Sequence, residues 1–488
     1  MATVEQYQDS STSPFVVSLT FGARFVPGST LEYFLKPGDA DKNGVNDWDQ
    51  EGRGAGIRAA FAAWESVANI HFAETTDEAQ ADTVEQWVGP GVYLGGIANH
   101  TLPTTSATGN YAIDIWGDSG QFTVGGISWD VFLHELGHYI GLIHPFDNGP
   151  SFPGVTGPYT VGDNGFNSRA YTVMAYRDVR ETFGTSGASD WGYTGGPMAF
   201  DIAAAQALYG PNRSTGKGAT FYDLPTEGKV GTYWFCVWDA GGNDTVRNKS
   251  ASACTIDLRP ATLKNEPGGG GFFSHVEGIK GGFSIAAGVT IENAIGGGGS
   301  DTIVGNAIAN LISGGAGDDV LIAGAGADRV NGGAGADTFL FWQVGDSRAG
   351  AADLIVDFAP GVDRLDLSRM GVTHAEVSTA GGVTTLEGMW MGVPSVTWRG
   401  ETFAGRHASS HMTAAGLPEF CADDVDGYVA LAVSWANRRD ELAEVRRALR
   451  DRVGNSPLCD APRFADNLSR EMMRRWQDWC DGRRKAAA

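Results

Sequence analysis

At 488 residues with a formal net charge of −23, the chain is too long for one hydrophobic core and too acidic to be read as a nucleic-acid binder. Two to four domains and cation binding are the natural expectations, with calcium the fitting partner. Met1 to Pro14 shows no basic cluster followed by an apolar run and no stretch is long enough to cross a bilayer, so neither a Sec-type signal nor a membrane anchor is expected.

In chain order, Asp39-Ala40-Asp41-Lys42-Asn43-Gly44 opens a run that spaces carboxylate and amide oxygens as a calcium loop does. Gln50 stands where such a loop needs a bidentate Glu, so Asp39, Asp41 and Asn43 read equally as calcium ligands or as a solvated acidic turn. Gly56 to His71 places Ile57, Phe61, Trp64 and Val67 at helical spacing, an amphipathic helix made to pack on a sheet. Phe72-Ala73-Glu74 and Gly109 to Trp116 read as strands.

His134-Glu135-Leu136-Gly137-His138 through Gly141 to His144 spells H-E-x-x-H-x-x-G-x-x-H. On a helix, His134 and His138 project from one face and Glu135 points one step round, toward a metal-bound water. Gly141 lets the backbone leave the helix and brings His144 back as a third ligand. Three imidazoles leave an open fourth position, as a catalytic zinc site requires. Met174 lies 30 residues beyond His144, in Tyr171-Thr172-Val173-Met174-Ala175-Tyr176. That segment resembles the Met-turn of the metzincins, in which a thioether forms an apolar floor under the metal.

Pro145 directly after the third His and Tyr176 two residues after the Met make the chain resemble the serralysins, metzincins that carry calcium-binding repeats. The resemblance spans about residues 1–372. It implies an α+β zinc protease domain and gives Tyr176 the role of a weak extra zinc ligand that turns toward the scissile carbonyl; the alternative for Tyr176 is a half-buried aromatic packed under the turn. Asp201 to Gly210 resembles the helix that ends serralysin protease domains.

Cys236, Cys254, Cys421, Cys459 and Cys480 form neither a metal-ligand spacing nor a dense disulfide pattern; Cys236 and Cys254 are either a pair or two buried thiols. Glycine, at 70 residues about twice the average usage, concentrates in the middle of the chain. From Gly296 a nine-residue period runs GGGGSDTIV, GNAIANLIS, GGAGDDVLI, AGAGADRVN, GGAGADTFL, the template of a calcium-bound parallel β-roll. Each unit is a glycine turn and a short strand whose apolar residue (Ile303, Ile312, Leu321, Val330, Phe339) points inward. Turns two units apart stack, so Asp301, Asp319 and Asp337 share calcium on one side, and Asp328 with the weaker Asn310 on the other. Asp353 to Leu367 resembles the strands that follow the serralysin repeats.

From Gly381 the text resembles the carboxyl-terminal end of bacterial enzymes similar to O-linked N-acetylglucosamine transferases, including Ser456 to Ala465. That resemblance implies a nucleotide-pocket remnant at Thr384, Thr385 and Glu387. Helical patterns cover Asp426 to Val453 and Ala461 to Cys480. Residues 397–488 hold 15 basic and 14 acidic residues, so the acidity lies upstream and the tail differs in origin. It is only the last part of one transferase lobe, with no acceptor site or catalytic base opposite it.

The expected organisation is a multidomain chain: 1–225 an α+β metzincin zinc protease, 226–372 a parallel β-roll with repeats at 296–340, and 373–488 a mainly helical α/β fragment without catalysis. The expected activity is that of an extracellular, monomeric, calcium-dependent zinc endopeptidase acting on proteins or peptides, with one catalytic zinc, several structural calcium ions, and neither nucleic-acid nor membrane partners. Type I export is its implied route, although the tail replaces the region where such signals lie. Two other classes stay open: a calcium-binding surface or adhesion protein with a silent protease domain, and a glycosyltransferase.

Overall fold

The computed structural model describes residues 2–8, 10–40, 42–50, 52–88, 107–111, 121–147, 149–343, 345–347, 351–359, 361–370, 382–399 and 403–486. The chain divides into two compact units, Met1–Met370 and Gly371–Ala488.

The first unit carries helices α1 (Pro14–Leu19), α2 (Arg53–Val67), α3 (Ile127–Tyr139), α4 (Val179–Phe183) and α5 (Ala199–Tyr209). Four strands form a parallel sheet in the spatial order His71–Glu74, Thr30–Leu35, Thr83–Trp87, Ala107–Tyr111. The expected apolar face of α2 is the buried one: Ile57, Phe61, Trp64 and Val67 are each at most 4% exposed, and burying each contributes about 1.5–3 kcal/mol. Phe61 stacks on Tyr33 of the sheet, while Trp64 Nε1 donates to Leu133 O of α3 at 3.0 Å. The helix starts and stops earlier than its periodicity suggests. Gly52, at φ 80°, precedes a buried Arg53 packed over Trp87, and His71 already pairs with Thr30 in the sheet. The strand expected at Gly109 to Trp116 is found at Ala107–Tyr111; residues 112–120 lie outside the described residues.

Beyond α5 the chain builds two six-stranded sheets and alternates strictly between them from Asn293 onward. One holds, in order, Leu354–Ile355, Arg329–Ala334, Leu311–Ala316, Asn293–Ile295, Thr245–Arg247 and Phe221–Asp223. The other holds His275–Val276, Cys254–Asp257, Thr302–Val304, Val320–Ile322, Thr338–Leu340 and Arg364–Asp366. All these pairings are parallel except that of His275–Val276. The eighteen-residue step is visible in the register: Ile303 pairs with Leu321 and Leu321 with Phe339, while Ile312 pairs with Val330. All five are at most 3% exposed, filling the space between the sheets. The turns need glycine because Gly315 and Gly333 take φ 114° and 101°, in a region that penalises any Cβ. Cys236 and Cys254 are free, buried thiols.

The second unit contains α6 (Gly382–Trp390), α7 (Phe403–Ala414), α8 (Val425–Asn437), α9 (Arg439–Gly454) and α10 (Ala461–Ala486), with a two-stranded parallel pairing of Thr397–Trp398 and Cys421–Ala422. Its small core gathers Met389, Met412, Leu417, Phe420, Trp435 and Leu449. The helical pattern at Asp426 to Val453 is found as two helices, divided where Arg438 leaves the helical region at φ −106°, ψ 52°. Among the described residues no helix is long and apolar enough to cross a membrane.

Candidate metal centre

Helix α3 is a core helix: every residue except Ile127 and His138 is buried. At its end Gly141 adopts φ 100°, so Leu142 N–H reaches back to Gly137 O at 2.9 Å and the chain reverses toward His144. His134, His138 and His144 thereby converge, one ring nitrogen from each lying within 4.8 Å of the others. The opposite nitrogens are engaged. His134 Nδ1 meets Val173 O at 2.7 Å, His138 Nδ1 meets Leu142 O at 2.8 Å, and His144 Nδ1 meets the Asp147 carboxylate at 3.0 Å. Carbonyl and carboxylate oxygens only accept, so each Nδ1 carries a proton, and Nε2 is the atom that each neutral imidazole offers as a ligand. Nε2 of His138 and Nε2 of His144 face each other at 3.1 Å. Three imidazole nitrogens that converge in this way form a donor set that suits zinc.

The electrostatics favour the same species. Burial, followed by the neighbouring His138, Arg169 and His144, holds His134 well below the usual imidazole range, so it is neutral and ligand-competent. Asp147 is opposed by its own burial, but hydrogen bonds from the His144 ring and amide outweigh that and keep its carboxyl below the usual range. Glu135 is 6% exposed, and burial pushes its carboxyl well above the usual range, so it holds a proton readily. Tyr176 is 43% exposed, its ring 4.8 Å from that of His144 and 5.9 Å from that of His134. Met174 is fully buried, its sulfur 2.5 Å from where a Cβ on Gly137 would stand.

In the glycine turns the carboxylates form ladders. Asp301 N–H donates to Asp319 Oδ1 at 2.7 Å and Asp319 N–H to Asp337 Oδ1 at 3.0 Å; on the other side Asn310 N–H donates to Asp328 Oδ1 at 2.7 Å. The second oxygens of Asp319 and Asp328 are buried and find no hydrogen-bond donor among the described residues. Burial first, then adjacent carboxylates, push both acids up to about 7. Oxygens of this kind are a donor type that suits a divalent cation. In the early loop, Asp39 accepts from Asn43 and Gly44 N–H at 2.8 and 2.9 Å, and the Asn43 amide bonds Gln50; Asp41 lies outside the described residues. In the second unit Thr385 is buried on α6, whereas the side chains of Thr384 and Glu387 lie outside the described residues.

Residues 199–386 match the serralysin C-terminal domain of the M10 peptidases, and residues 375–468 match glycosyl transferase family 41. The serralysin of Photorhabdus laumondii subsp. laumondii is 40% identical over 343 residues, covering 67% of this chain and 68% of that protein. The chain belongs to the serralysin family. Metallopeptidase AprA of Pseudomonas marginalis is 38% identical over 362 residues (68% of this chain, 70% of that protein), and the serralysin of Proteus mirabilis 39% over 357 residues (64% and 68%).

Several groups that hold the site escaped the sequence reading. Asp201, at the start of α5, accepts from Thr172 Oγ1 (2.6 Å), Val173 N–H (2.7 Å) and Met198 N–H (2.9 Å), and Val173 O in turn holds His134. Arg169 donates to Ala175 O at 2.9 Å and pairs with buried Asp130 of α3. Asp147 sits three residues after His144, a short separation that could have flagged it. Asp353 and Asp363 continue the acidic ladders past the repeats, accepting from Asp328 and Asp337 N–H at 3.0 Å each. Their signal was an Asp in each strand segment after the glycine period ends.

Proposed function

We propose that the chain is a secreted, calcium-dependent zinc endopeptidase, in which His134, His138 and His144 hold one zinc ion through Nε2. The convergence of the three imidazoles, with Nε2 of His138 facing Nε2 of His144, carries this reading most directly. Zinc bound there supplies Lewis-acid polarisation of the scissile carbonyl and lowers the pKa of a water. Glu135, buried and inclined to hold a proton, takes one from the attacking water and passes it to the leaving amine nitrogen. Tyr176 stands beside His144 with its hydroxyl available to the developing oxyanion, and serves as a weak extra ligand in the resting state. Met174 closes the floor under the ligands.

Residues 226–372 form a calcium-bound β-roll on this reading, with Asp301, Asp319 and Asp337 on one side and Asp328 with the weaker Asn310 on the other. The orphaned oxygens of Asp319 and Asp328 support it, and Asp353 and Asp363 extend the two ladders. Asp39, Asp41 and Asn43 are a further, weaker calcium candidate. Residues 1–225 are the protease domain, and the tail from 373 is non-catalytic.

Glu135→Gln tests the mechanism, since the amide cannot accept the proton while all three imidazoles remain. The variant should bind one zinc per chain, measured by elemental analysis, and show no casein hydrolysis. Full activity would sink the general-base assignment, and loss of zinc along with activity would make Glu135 structural.

A further inference from the structure

The outer face of the sheet that holds Leu311–Ala316 and Arg329–Ala334 carries a groove of about 420 Å³, which shares no residue with the histidine site or the carboxylate ladders. Its lining follows from the strand period. Val246, Ala294, Ile312 and Val330 are at most 3% exposed and point inward, so their neighbours along each strand point out. The register sets those neighbours in two rows across the strands: Asn293, Leu311 and Arg329 in one, Ile295, Ser313 and Asn331 in the other. All six line the groove, and Asn243 joins them.

What these side chains leave unspent describes a ligand. Arg247, on the same face of the sheet, is paired with Asp223 and lies over the Phe221 ring at 3.9 Å. Arg329 is exposed, and among the described residues its guanidinium has neither an ion pair nor a hydrogen bond. In a chain of net charge −23, an arginine that no carboxylate reaches is free to take one from a ligand, through two parallel N–H bonds. The hydroxyl of Ser313 and the amide of Asn331 likewise make no hydrogen bond among the described residues. Asn293 Nδ2 donates to Asn243 Oδ1 at 3.0 Å and to Asp244 O at 2.9 Å, which orients the Asn243 amide and leaves its own Nδ2 to donate outward. Leu311, 50% exposed, stands between Asn293 and Arg329, and Ile295, 41% exposed, stands beside Ser313; together they supply an aliphatic floor.

The strands under the groove are paired on both sides, so their backbone N–H and C=O groups are taken within the sheet. An extended peptide laid over this face lacks the main-chain hydrogen bonds that hold one added at a sheet edge. Recognition falls to side chains alone: a fork of N–H donors, amides and a hydroxyl that both donate and accept, and an apolar surface. That set matches a ligand with a carboxylate, several hydroxyls and a C–H face. We propose that the groove binds an acidic saccharide. Arg329 takes the carboxylate of a hexuronate, Asn331, Ser313 and Asn243 take ring hydroxyls, and Leu311 with Ile295 lies under the C–H face of the ring. Salt screens the overall negative charge of the chain beyond about 8 Å, so the groove's own cation decides the sign of the ligand. Such a site tethers the chain to an acidic polysaccharide, whatever the histidine site does.

The test uses the full-length, calcium-loaded protein and isothermal titration calorimetry with a tetramer of glucuronic acid, the methyl ester of that tetramer, and tetraglutamate. The wild type should bind the acid, and should bind the ester, which keeps every hydroxyl but loses the charge, about 10-fold more weakly. Tetraglutamate, which offers carboxylates without hydroxyls, should also bind about 10-fold more weakly than the acid. Arg329→Gln should lose about 10-fold in affinity for the acid and Asn331→Ala about 5-fold, with circular dichroism in calcium matching the wild type. No binding of the glucuronate tetramer, an ester that binds as tightly as the acid, or wild-type affinity in either folded variant would each overturn the site. Tetraglutamate bound as tightly as the acid would make the groove a contact for acidic peptides and overturn the saccharide assignment.

Discussion

Replacing Asp147 by alanine isolates one support of the metal centre. His134 and His138 are held by backbone carbonyls that no substitution removes, whereas His144 is held by a side-chain carboxylate that accepts from both its ring and its amide. Loss of such a carboxylate typically costs 10- to 100-fold in metal affinity, or about 1.4–2.7 kcal/mol. The Asp147 side chain is 38% exposed, so water takes over part of the bonding and the lower end, about 10-fold, is expected. Asp147→Asn keeps an oxygen that can accept from the ring and should lose less. The assay is zinc competition against a chromophoric chelator at fixed pH, with circular dichroism to show that both variants fold. Wild-type zinc affinity in folded Asp147→Ala would refute the orienting role. An asparagine variant weaker than the alanine variant would refute the hydrogen-bond account.

Tyr176→Phe removes only a hydroxyl; if that group steadies the oxyanion, kcat should fall about 10²-fold with little change in KM, and unchanged kcat would return Tyr176 to packing. Gly137→Ala drives a Cβ to 2.5 Å from the Met174 sulfur, an overpacking expected to cost about 1–3 kcal/mol and visible as a lower Tm; an unaffected Tm would mean that the thioether moves freely. Asp319 and Asp328 stand at about 7 in the folded chain against an ordinary 3.8. A raised folded value means that the folded state binds the proton more tightly. Their stabilising contribution is therefore complete below about pH 4 and is lost as pH rises through about 7. Calcium-free protein should melt lower at about pH 8 than at about pH 5.5, and added calcium should abolish that difference; a roll indifferent to calcium at about pH 8 would refute the ladder sites. Truncation after Gly371 should leave casein cleavage per folded molecule unchanged, because the first unit carries the whole histidine site and the glycine repeats; lost cleavage in a folded, calcium-binding truncation would make the tail part of the protease.

The sequence was most informative where short-range chemistry dictates the arrangement. Three histidines at fixed separations on a helix and its exit turn have little choice but to meet. The nine-residue period likewise predicts its register, because each inward apolar residue must lie over one eighteen positions away. Boundaries were less legible. The end of α2 depends on His71 joining a strand that begins at Thr30, a pairing decided across the sheet. Least legible were the groups that orient the ligands. Val173 contributes only a backbone carbonyl to His134, so its identity carries no signal, and Asp201 reaches the same turn from a helix 28 positions along the chain. Gly137 reads as a helix-weakening residue until the thioether it makes room for is placed beneath it.

The turn that carries Met174 joins two jobs usually discussed apart. Asp201 fixes Val173 through its N–H, and Val173 fixes His134 through its C=O, so one peptide segment transmits the position of α5 to a candidate zinc ligand. Arg169 holds the next carbonyl, Ala175 O, and is anchored to Asp130 on the very helix that bears His134 and His138. The turn is thereby clamped between the histidine helix on one side and the closing helix on the other, and Met174 fills the space left by Gly137 between them. In this arrangement the thioether need not touch the metal to matter. Its buried volume sets the distance between α3 and the turn, and with it the orientation of the His134 ring.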